Sequence, residues 1–71
     1  MDIRAIQKRL IEARGDTPRT EVAKKLGISV SAMSMYENGD RIPRDEIKEQ
    51  LAAFYGTTVG FLFFGEKVHV S

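Results

Sequence analysis

The 71-residue sequence contains no cysteine and no tryptophan, and it has only two prolines and one histidine. Without cysteine the chain can form neither disulfides nor thiolate metal sites, so the packing of a hydrophobic core has to hold the fold. No apolar run approaches the roughly 20 residues needed to cross a bilayer. Because residues 1–14 are charged and amphipathic, unlike an export signal, we expect a soluble cytoplasmic protein without membrane contact.

A strong excess of one charge is also missing, since eleven Lys and Arg residues oppose ten Asp and Glu residues and leave a net charge of +1. This balance alone does not indicate a nucleic-acid partner. The length leaves room for a single hydrophobic core. We therefore assign residues 1–71 to one domain, with a C-terminal tail over residues 66–71.

Patterns typical of catalytic and cofactor sites are absent from the sequence as well. The single histidine, His69, lies near the C-terminal end, and no glycine-rich phosphate loop is present. The acidic pair Asp45 and Glu46 stands at the start of a predicted helix, where the helix dipole favours acids without any catalytic role. We therefore expect no enzymatic activity, no cofactor, no metal site and no small-molecule ligand.

What the sequence does contain is helical spacing of apolar residues. The first predicted helix covers residues 2–14 and stops at the Gly-Asp-Thr-Pro cluster of residues 15–18. A fourth helix is predicted over residues 44–55, ending before Gly56. Its core-facing side chains are expected to be Ile47, Leu51 and Phe54.

A last short helix is predicted over residues 59–63, between a capping Thr58 and a terminating Gly65. Two further helical patterns lie on either side of a break at residues 27–29. Gly27 ends the earlier pattern, and Ser29 can cap the later one, which covers residues 30–38. The helix before the break packs through Val22, Ala23 and Leu26. The helix after the break packs through Ala32, Met33 and Tyr36.

The order and spacing of these residues resemble the lambda-repressor-like helix-turn-helix family, the Cro/Xre group, from about Ile6 to Gly65. The resemblance is carried by the runs EVA at 21–23, LGIS at 26–29, YENG at 36–39 and YGTT at 55–58, with Arg41, Pro43 and Leu62. It implies an all-α fold, a compact five-helix bundle whose third helix enters the major groove of DNA.

In such a fold the exposed side of the third helix reads the bases, and here it carries Val30, Ser31, Ser34 and Met35. Family members often have Gln, Arg or Asn at these positions. Serine hydroxyls bond either donors or acceptors, and Val30 and Met35 suit thymine methyl groups, so we expect modest readout that favours A·T pairs. Alternatively, Val30 and Met35 cover a gap in packing or contact a partner protein.

The resemblance also implies phosphate contacts from Arg19, Asn38, Arg41 and Arg44, and it turns Lys48 toward the DNA backbone as well. Arg19 stands at the start of the second helix, where the family often has Gln, and either side chain can reach a phosphate. The competing interpretation is that the basic side chains belong to an ordinary solvated surface. For Asn38 the competing role is to end the third helix.

Glu37 lies at the border of the packed face of the third helix, where the family commonly pairs an acid with an arginine of the first helix. Arg14 is the best-placed partner in this sequence. A half-buried ion pair orients helices more than it stabilises them, so we interpret Glu37 and Arg14 as structural and not catalytic.

The C-terminal part is unusually aromatic, because Phe61, Phe63 and Phe64 crowd a helix of one turn. Such a patch predicts an interface, and the two-fold symmetry of DNA half-sites makes a second copy of the chain the simplest partner. Beyond it, residues 68–70 alternate like a strand that could pair with the other subunit, although a disordered tail fits equally well.

Two functions are compatible with these features. The first is a sequence-specific double-stranded DNA-binding transcription regulator, most simply a homodimeric repressor on an inverted-repeat operator. The second is a protein-binding module on the same scaffold, such as an antitoxin or an anti-repressor, which the apolar residues of the third helix favour.

Overall fold

The computed structural model describes residues 2–67, which form five helices and no strand. The helices are α1 (Ile3–Arg14), α2 (Arg19–Leu26), α3 (Val30–Asn38), α4 (Asp45–Tyr55) and α5 (Val59–Phe64). The all-α five-helix architecture expected from the sequence is thereby confirmed. The strand or tail considered for residues 68–70 lies outside the described residues.

Capping side chains set the beginnings of three helices. Ser29 accepts a hydrogen bond from the N–H of Ala32, and Thr58 accepts one from the N–H of Phe61, as predicted. Asp2 caps α1 in the same way. Three predicted boundaries move by one residue, because Asp2 and Arg44 are still extended before α1 and α4, and α5 continues to Phe64.

Glycines at the ends of α2 and α3 allow the chain to turn sharply. Gly27 and Gly39 both adopt the left-handed conformation, with φ of 70° and 77°. They differ in their surroundings, since a Cβ atom on Gly39 would lie 2.6 Å from Cγ2 of Ile3, whereas one on Gly27 would meet nothing within 4 Å. The end of α3 therefore packs directly onto the start of α1.

The hydrophobic core lies between all five helices. Helix α3 packs on α1 and α2, while α5 packs on α1 and α4. The buried side chains are Ile6, Leu10, Val22, Ala23, Leu26, Met33, Tyr36, Ile47, Leu51, Ala52, Leu62 and Phe63. Close packing of so many apolar groups supplies most of the stability of a small domain.

One core expectation in α4 is wrong. Ile47 and Leu51 are buried as predicted, but Phe54 is exposed and Ala52 takes part in the core instead. At 100° per residue, Ala52 lies on one side of Leu51 and Phe54 lies at the far margin of the buried face. The α4 core face is thus rotated from the one that periodicity alone suggested.

Across residues 2–67, every helix is too short or too polar to cross a membrane.

Candidate nucleic-acid interface

Helix α3 has one buried and one accessible side, as a recognition helix requires. Its buried residues are Met33, Tyr36 and Glu37. On the other side Val30 and Ser31 are exposed, and Ser34 and Met35 are partly exposed. The four residues expected to read bases thus share an accessible surface, and Asn38 extends it at the C-terminal end of the helix.

The buried side of α3 contains a carboxylate that is completely enclosed. The Glu37 side chain is 0% exposed, and Arg14 binds both of its oxygens, with Nε 2.7 Å from Oε2 and Nη2 3.0 Å from Oε1. Hydrogen bonding to Glu37 raises the pKa of Arg14. This paired geometry is the strong form of an arginine–carboxylate contact, and it ties α1 to α3.

A third hydrogen bond to Glu37 comes from α2. Arg19 Nε lies 2.9 Å from Oε1 of Glu37, and the Arg19 side chain remains 38% exposed. We refer to Arg14, Arg19 and Glu37 as the ion cluster. Its three hydrogen bonds satisfy the buried carboxylate and connect the first three helices through one group.

The sequence located Glu37 at the border of the packed face and did not assign it a second arginine. A signal was available, since Glu37 follows buried Met33 by four residues and therefore lies on the same face of α3. The participation of Arg19 could not be seen, because it depends on how closely α2 approaches α3. The Arg19 guanidinium thus donates to Glu37 through Nε, and its Nη1 lies 3.5 Å from Ser34 Oγ.

Two further cations lie in the segment between α3 and α4. Arg41 and Arg44 are exposed, and Arg44 Nη2 is 3.8 Å from Glu46 in an exposed pair that contributes little stability. Both border a shallow cleft of about 240 Å³, whose other lining residues are Ile28, Tyr36, Ile42 and Ile47. Ile28 directly precedes the cap of α3, so these cations flank the helix-turn-helix.

Lys48 does not lie where the resemblance implied. Its side chain is only 12% exposed, with Nζ 5.5 Å from the centre of the Phe63 ring and 5.9 Å from that of Phe64. Nζ also lies 3.6 Å from a carboxylate oxygen of Asp45. Because its ammonium group is held against the aromatic rings, Lys48 is removed from the set of backbone-facing cations.

The three phenylalanines near the C-terminus occupy different environments. Phe63 is 1% exposed and fills the core, so its expected place at a dimer interface is wrong: the short α5 helix turns it toward α4 and α1. Phe61 is partly buried against the core, and Phe64 is 58% exposed. We refer to Lys48, Phe63 and Phe64 as the aromatic cluster, of which only Phe64 offers a large apolar surface.

Comparison with known proteins identifies a family for this chain. A family model described as helix-turn-helix, of the Cro/C1 type, matches residues 7–62. Neither the curated proteins nor the solved structures include a match to this chain. The matched segment begins in α1 and ends in α5, so it includes the helix-turn-helix, the ion cluster and both exposed arginines.

Proposed function

Because the chain belongs to the Cro/C1-type helix-turn-helix family of DNA-binding regulators, we propose that it is a homodimeric repressor that reads an inverted-repeat operator. In each subunit α3 enters the major groove, and the two copies bind half-sites about one helical turn apart. Repression is the simplest outcome of such binding, since it requires only that the operator be occupied.

The observation that carries this proposal is that α3 is anchored on one side and accessible on the other. The ion cluster holds the inner side in one orientation through three hydrogen bonds. The outer side carries Val30, Ser31, Ser34 and Met35. A recognition helix needs both properties, because base readout depends on placing side chains within hydrogen-bond reach of the groove.

The outer side of α3 suits a mixture of polar and apolar readout. Ser31 and Ser34 offer hydroxyls to base edges, and Val30 and Met35 offer apolar contact to thymine methyl groups. None of these side chains forms the paired hydrogen bonds that arginine or glutamine makes with a purine. We therefore expect modest sequence preference and an affinity that depends strongly on the phosphate backbone.

The phosphate contacts in this proposal come from Arg19, Asn38, Arg41 and Arg44. Asn38 is exposed at the end of α3, and Arg41 and Arg44 are exposed in the segment that follows it. The Arg19 side chain is 38% exposed at the start of α2. The N–H groups of the first turn of α2, which has no side-chain cap, would strengthen an anion contact there.

Dimerisation in this proposal uses the exposed end of the aromatic cluster. Phe64 projects from α5, and partly buried Phe61 lies in the same helix. The test is sedimentation of wild type and Phe64→Glu, which would place a like charge on both sides of a symmetric contact and should dissociate the dimer. Phe54→Glu is the matched control, because Phe54 is also exposed but lies on α4.

The wild type should sediment as a dimer at micromolar concentration, Phe54→Glu should remain dimeric, and Phe64→Glu should be a folded monomer. A wild type that is monomeric, or a Phe64→Glu variant that still dimerises, would exclude this interface.

Selection of DNA from a random pool by the purified protein tests function and symmetry together. An enriched inverted repeat is the expected result, since two-fold symmetric dimers select two-fold symmetric sites. An enriched single site would retain DNA binding but reject the symmetric dimer. Recovery of no preferred sequence, with binding no stronger than to bulk DNA, would reject a sequence-specific regulator.

The salt dependence of binding tests the phosphate contacts. Arg44→Gln should reduce the slope of log affinity against log salt by about one for each protein copy bound. Lys8→Gln removes the same charge from the exposed surface of α1 and serves as the control. Equal slopes for the two variants would remove Arg44 from the phosphate contacts.

A second function is favoured by the exposure of Val30 and the partial exposure of Met35 on the accessible side of α3. An apolar surface there suits a protein-binding module such as an antitoxin or an anti-repressor. The random-pool selection separates the two functions, because a module of this kind that binds only protein enriches no DNA sequence.

A further inference from the structure

The shallow cleft beside the helix-turn-helix combines apolar walls with two cations. Its volume is about 240 Å³, and we refer to it as the arginine cleft, lined by Ile28, Tyr36, Arg41, Ile42, Arg44 and Ile47. Ile42 is 36% exposed, so the cleft offers an accessible apolar surface. Ligand sites are typically concave and apolar, with a few polar groups that orient the ligand. The volume lies below the range of drug-sized sites, which indicates a smaller molecule.

The two arginines of the cleft differ from the other cations around the helix-turn-helix. Arg19 is held by a buried carboxylate, and Lys48 is held against aromatic rings. Arg41 makes no ion pair within residues 2–67, and the exposed pair of Arg44 with Glu46 has a separation of 3.8 Å. Such an exposed pair is weak, so a better-placed anion can displace it. The arginine cleft therefore presents two guanidinium groups to an incoming anion.

Charge and surface type together indicate the chemistry of a ligand for this cleft. A guanidinium presents its donors in a planar fork that matches a carboxylate, and its face stacks on flat rings. Ile28 and Ile42 offer only apolar contact, which an inorganic anion would not use. A ligand that matches both parts of the cleft has one carboxylate and a flat apolar body.

We propose that the arginine cleft binds a small organic carboxylate with a flat apolar body, and that this ligand competes with DNA. The carboxylate pairs with Arg41 and Arg44, while the apolar body lies against Ile28 and Ile42. Ligand and DNA exclude each other, because the same two arginines are the proposed phosphate contacts. Ligand binding itself is independent of the proposed function, whereas the competition rests on it.

Sequence motifs indicated no small-molecule ligand for this chain. The lining of the arginine cleft comes from α3, from α4 and from the two segments that precede these helices. Residues brought together in this way form no motif along the chain, so only the packing of α3 and α4 reveals the cleft.

Titration of the isotope-labelled protein, followed by NMR in the absence of DNA, tests the ligand site with benzoate as the probe. Benzamide has the same flat body without the charge, and acetate has the charge without the body. We expect benzoate to shift the backbone amide signals of Ile28, Ile42 and Ile47, with an affinity in roughly the millimolar range. It should bind at least about fivefold more tightly than benzamide or acetate, since each control lacks one of the two kinds of contact.

Two variants separate the contributions of charge and apolar contact. Arg41→Gln combined with Arg44→Gln should remove the preference for benzoate over benzamide. Ile42→Ser should remove the preference for benzoate over acetate. All three side chains are exposed, so both variants are expected to fold. Lys8→Gln removes an exposed cation from α1 and should bind benzoate as the wild type does.

The competition is measured with DNA selected by the wild type, in equal concentrations of sodium benzoate and sodium acetate. Equal ionic strength removes the general effect of salt on phosphate contacts. Benzoate near saturation should weaken DNA binding by about tenfold relative to acetate, a typical coupling between two ligands. Equal DNA affinities in the two salts would overturn the competition.

Three results would overturn the ligand site itself. They are benzoate binding no tighter than that of the two controls, shifts centred on another exposed apolar residue such as Phe64, and unchanged benzoate binding by the double arginine variant. Because the titration contains no DNA, its outcome does not depend on the proposed function. A wild type that selects no DNA sequence would reject the proposed function and the competition, and the ligand site would still be judged by the titration.

Discussion

The ion cluster and the aromatic cluster hold different parts of this small bundle by different means. In the ion cluster, a fully buried carboxylate of α3 receives three hydrogen bonds from α1 and α2. In the aromatic cluster, Phe63 fills the core between α4, α5 and α1, and Lys48 lies over its ring. Hydrogen bonds to a carboxylate are directional, whereas apolar burial is not.

This difference matches what each part has to do. Burying a charged group costs free energy that its partners only roughly repay, so the ion cluster is a poor way to gain stability. It does restrict the rotation of α3, because a small turn of that helix would break the hydrogen bonds to Glu37. We infer that the ion cluster orients the accessible side of α3, and that the aromatic cluster and the rest of the apolar core supply the stability.

The largest effect is expected from breaking the ion cluster at Arg14. Arg14→Met should lower the free energy of unfolding by about 3–5 kcal/mol, because it leaves the buried Glu37 carboxylate with Arg19 alone. Arg9→Met is the control on the same helix. Arg9 Nε donates to the neutral carbonyl oxygen of Leu62 at 2.8 Å, so its loss should cost only about 1–2 kcal/mol.

Urea denaturation measures both variants. Arg14→Met combined with Glu37→Leu should regain much of the lost stability, since no buried charge is then left without a partner. The double variant should nevertheless bind DNA more weakly, because the hydrogen bonds that orient α3 are gone. Equal losses in the two arginine variants would show that the Glu37 carboxylate is not the origin of the effect.

Sequence patterns predicted the local features of both clusters better than the contacts between helices. Caps and helix ends depend on neighbouring residues, so Ser29, Thr58 and the helices they begin were predicted correctly. The sequence did not predict three other features: the hydrogen bond from Arg19 to Glu37, the burial of Phe63 and the exposure of Phe54. Each depends on the angle and distance at which two helices pack, and periodicity within one helix does not contain that information.

The next largest effect tests the aromatic cluster. Phe63→Ala should lower the free energy of unfolding by about 3 kcal/mol, because it removes a fully buried ring and leaves a cavity. Phe64→Ala is the matched control one residue away, and its exposed ring should contribute less than about 1 kcal/mol to the monomer. Thermal or urea unfolding at a concentration where both variants are monomeric makes the comparison. Similar losses would show that α5 packs differently from the structure described here.

An intermediate effect is expected where α3 ends against α1, beside the ion cluster. Gly39→Ala and Gly27→Ala both place a Cβ atom at a left-handed position, which costs about 1–2 kcal/mol in each case. At Gly39 the new atom would also press on Ile3, at 2.6 Å, and a Cβ there would lie 3.0 Å from Gln7 Cδ. We therefore expect Gly39→Ala to cost about 1–2 kcal/mol more than Gly27→Ala in urea denaturation. Equal costs would mean that α1 can move away without loss.

The smallest effect is expected at Tyr55, which ends α4 within the electrostatic influence of Glu37 and Arg14. Its hydroxyl is buried and finds no protein hydrogen-bond partner among residues 2–67. Burial, with a further contribution from the negative charge of Glu37, raises the pKa of Tyr55 to about 12. Tyr55→Phe should therefore change the stability at neutral pH by less than about 1 kcal/mol, because it removes a group that makes no bond to the protein.

The pH dependence makes this small effect measurable. A tyrosine whose pKa is raised on folding supports the native state fully below its unfolded pKa of about 10, and that support is lost as the pH rises toward about 12. Wild type should thus lose stability relative to Tyr55→Phe only in this alkaline window. Ultraviolet absorbance of the phenolate, taken as the difference between the two proteins, reports the ionisation of Tyr55 directly. If Tyr55 ionised near pH 10, water would have to reach its hydroxyl, and the burial of this side chain beside the ion cluster would be incomplete.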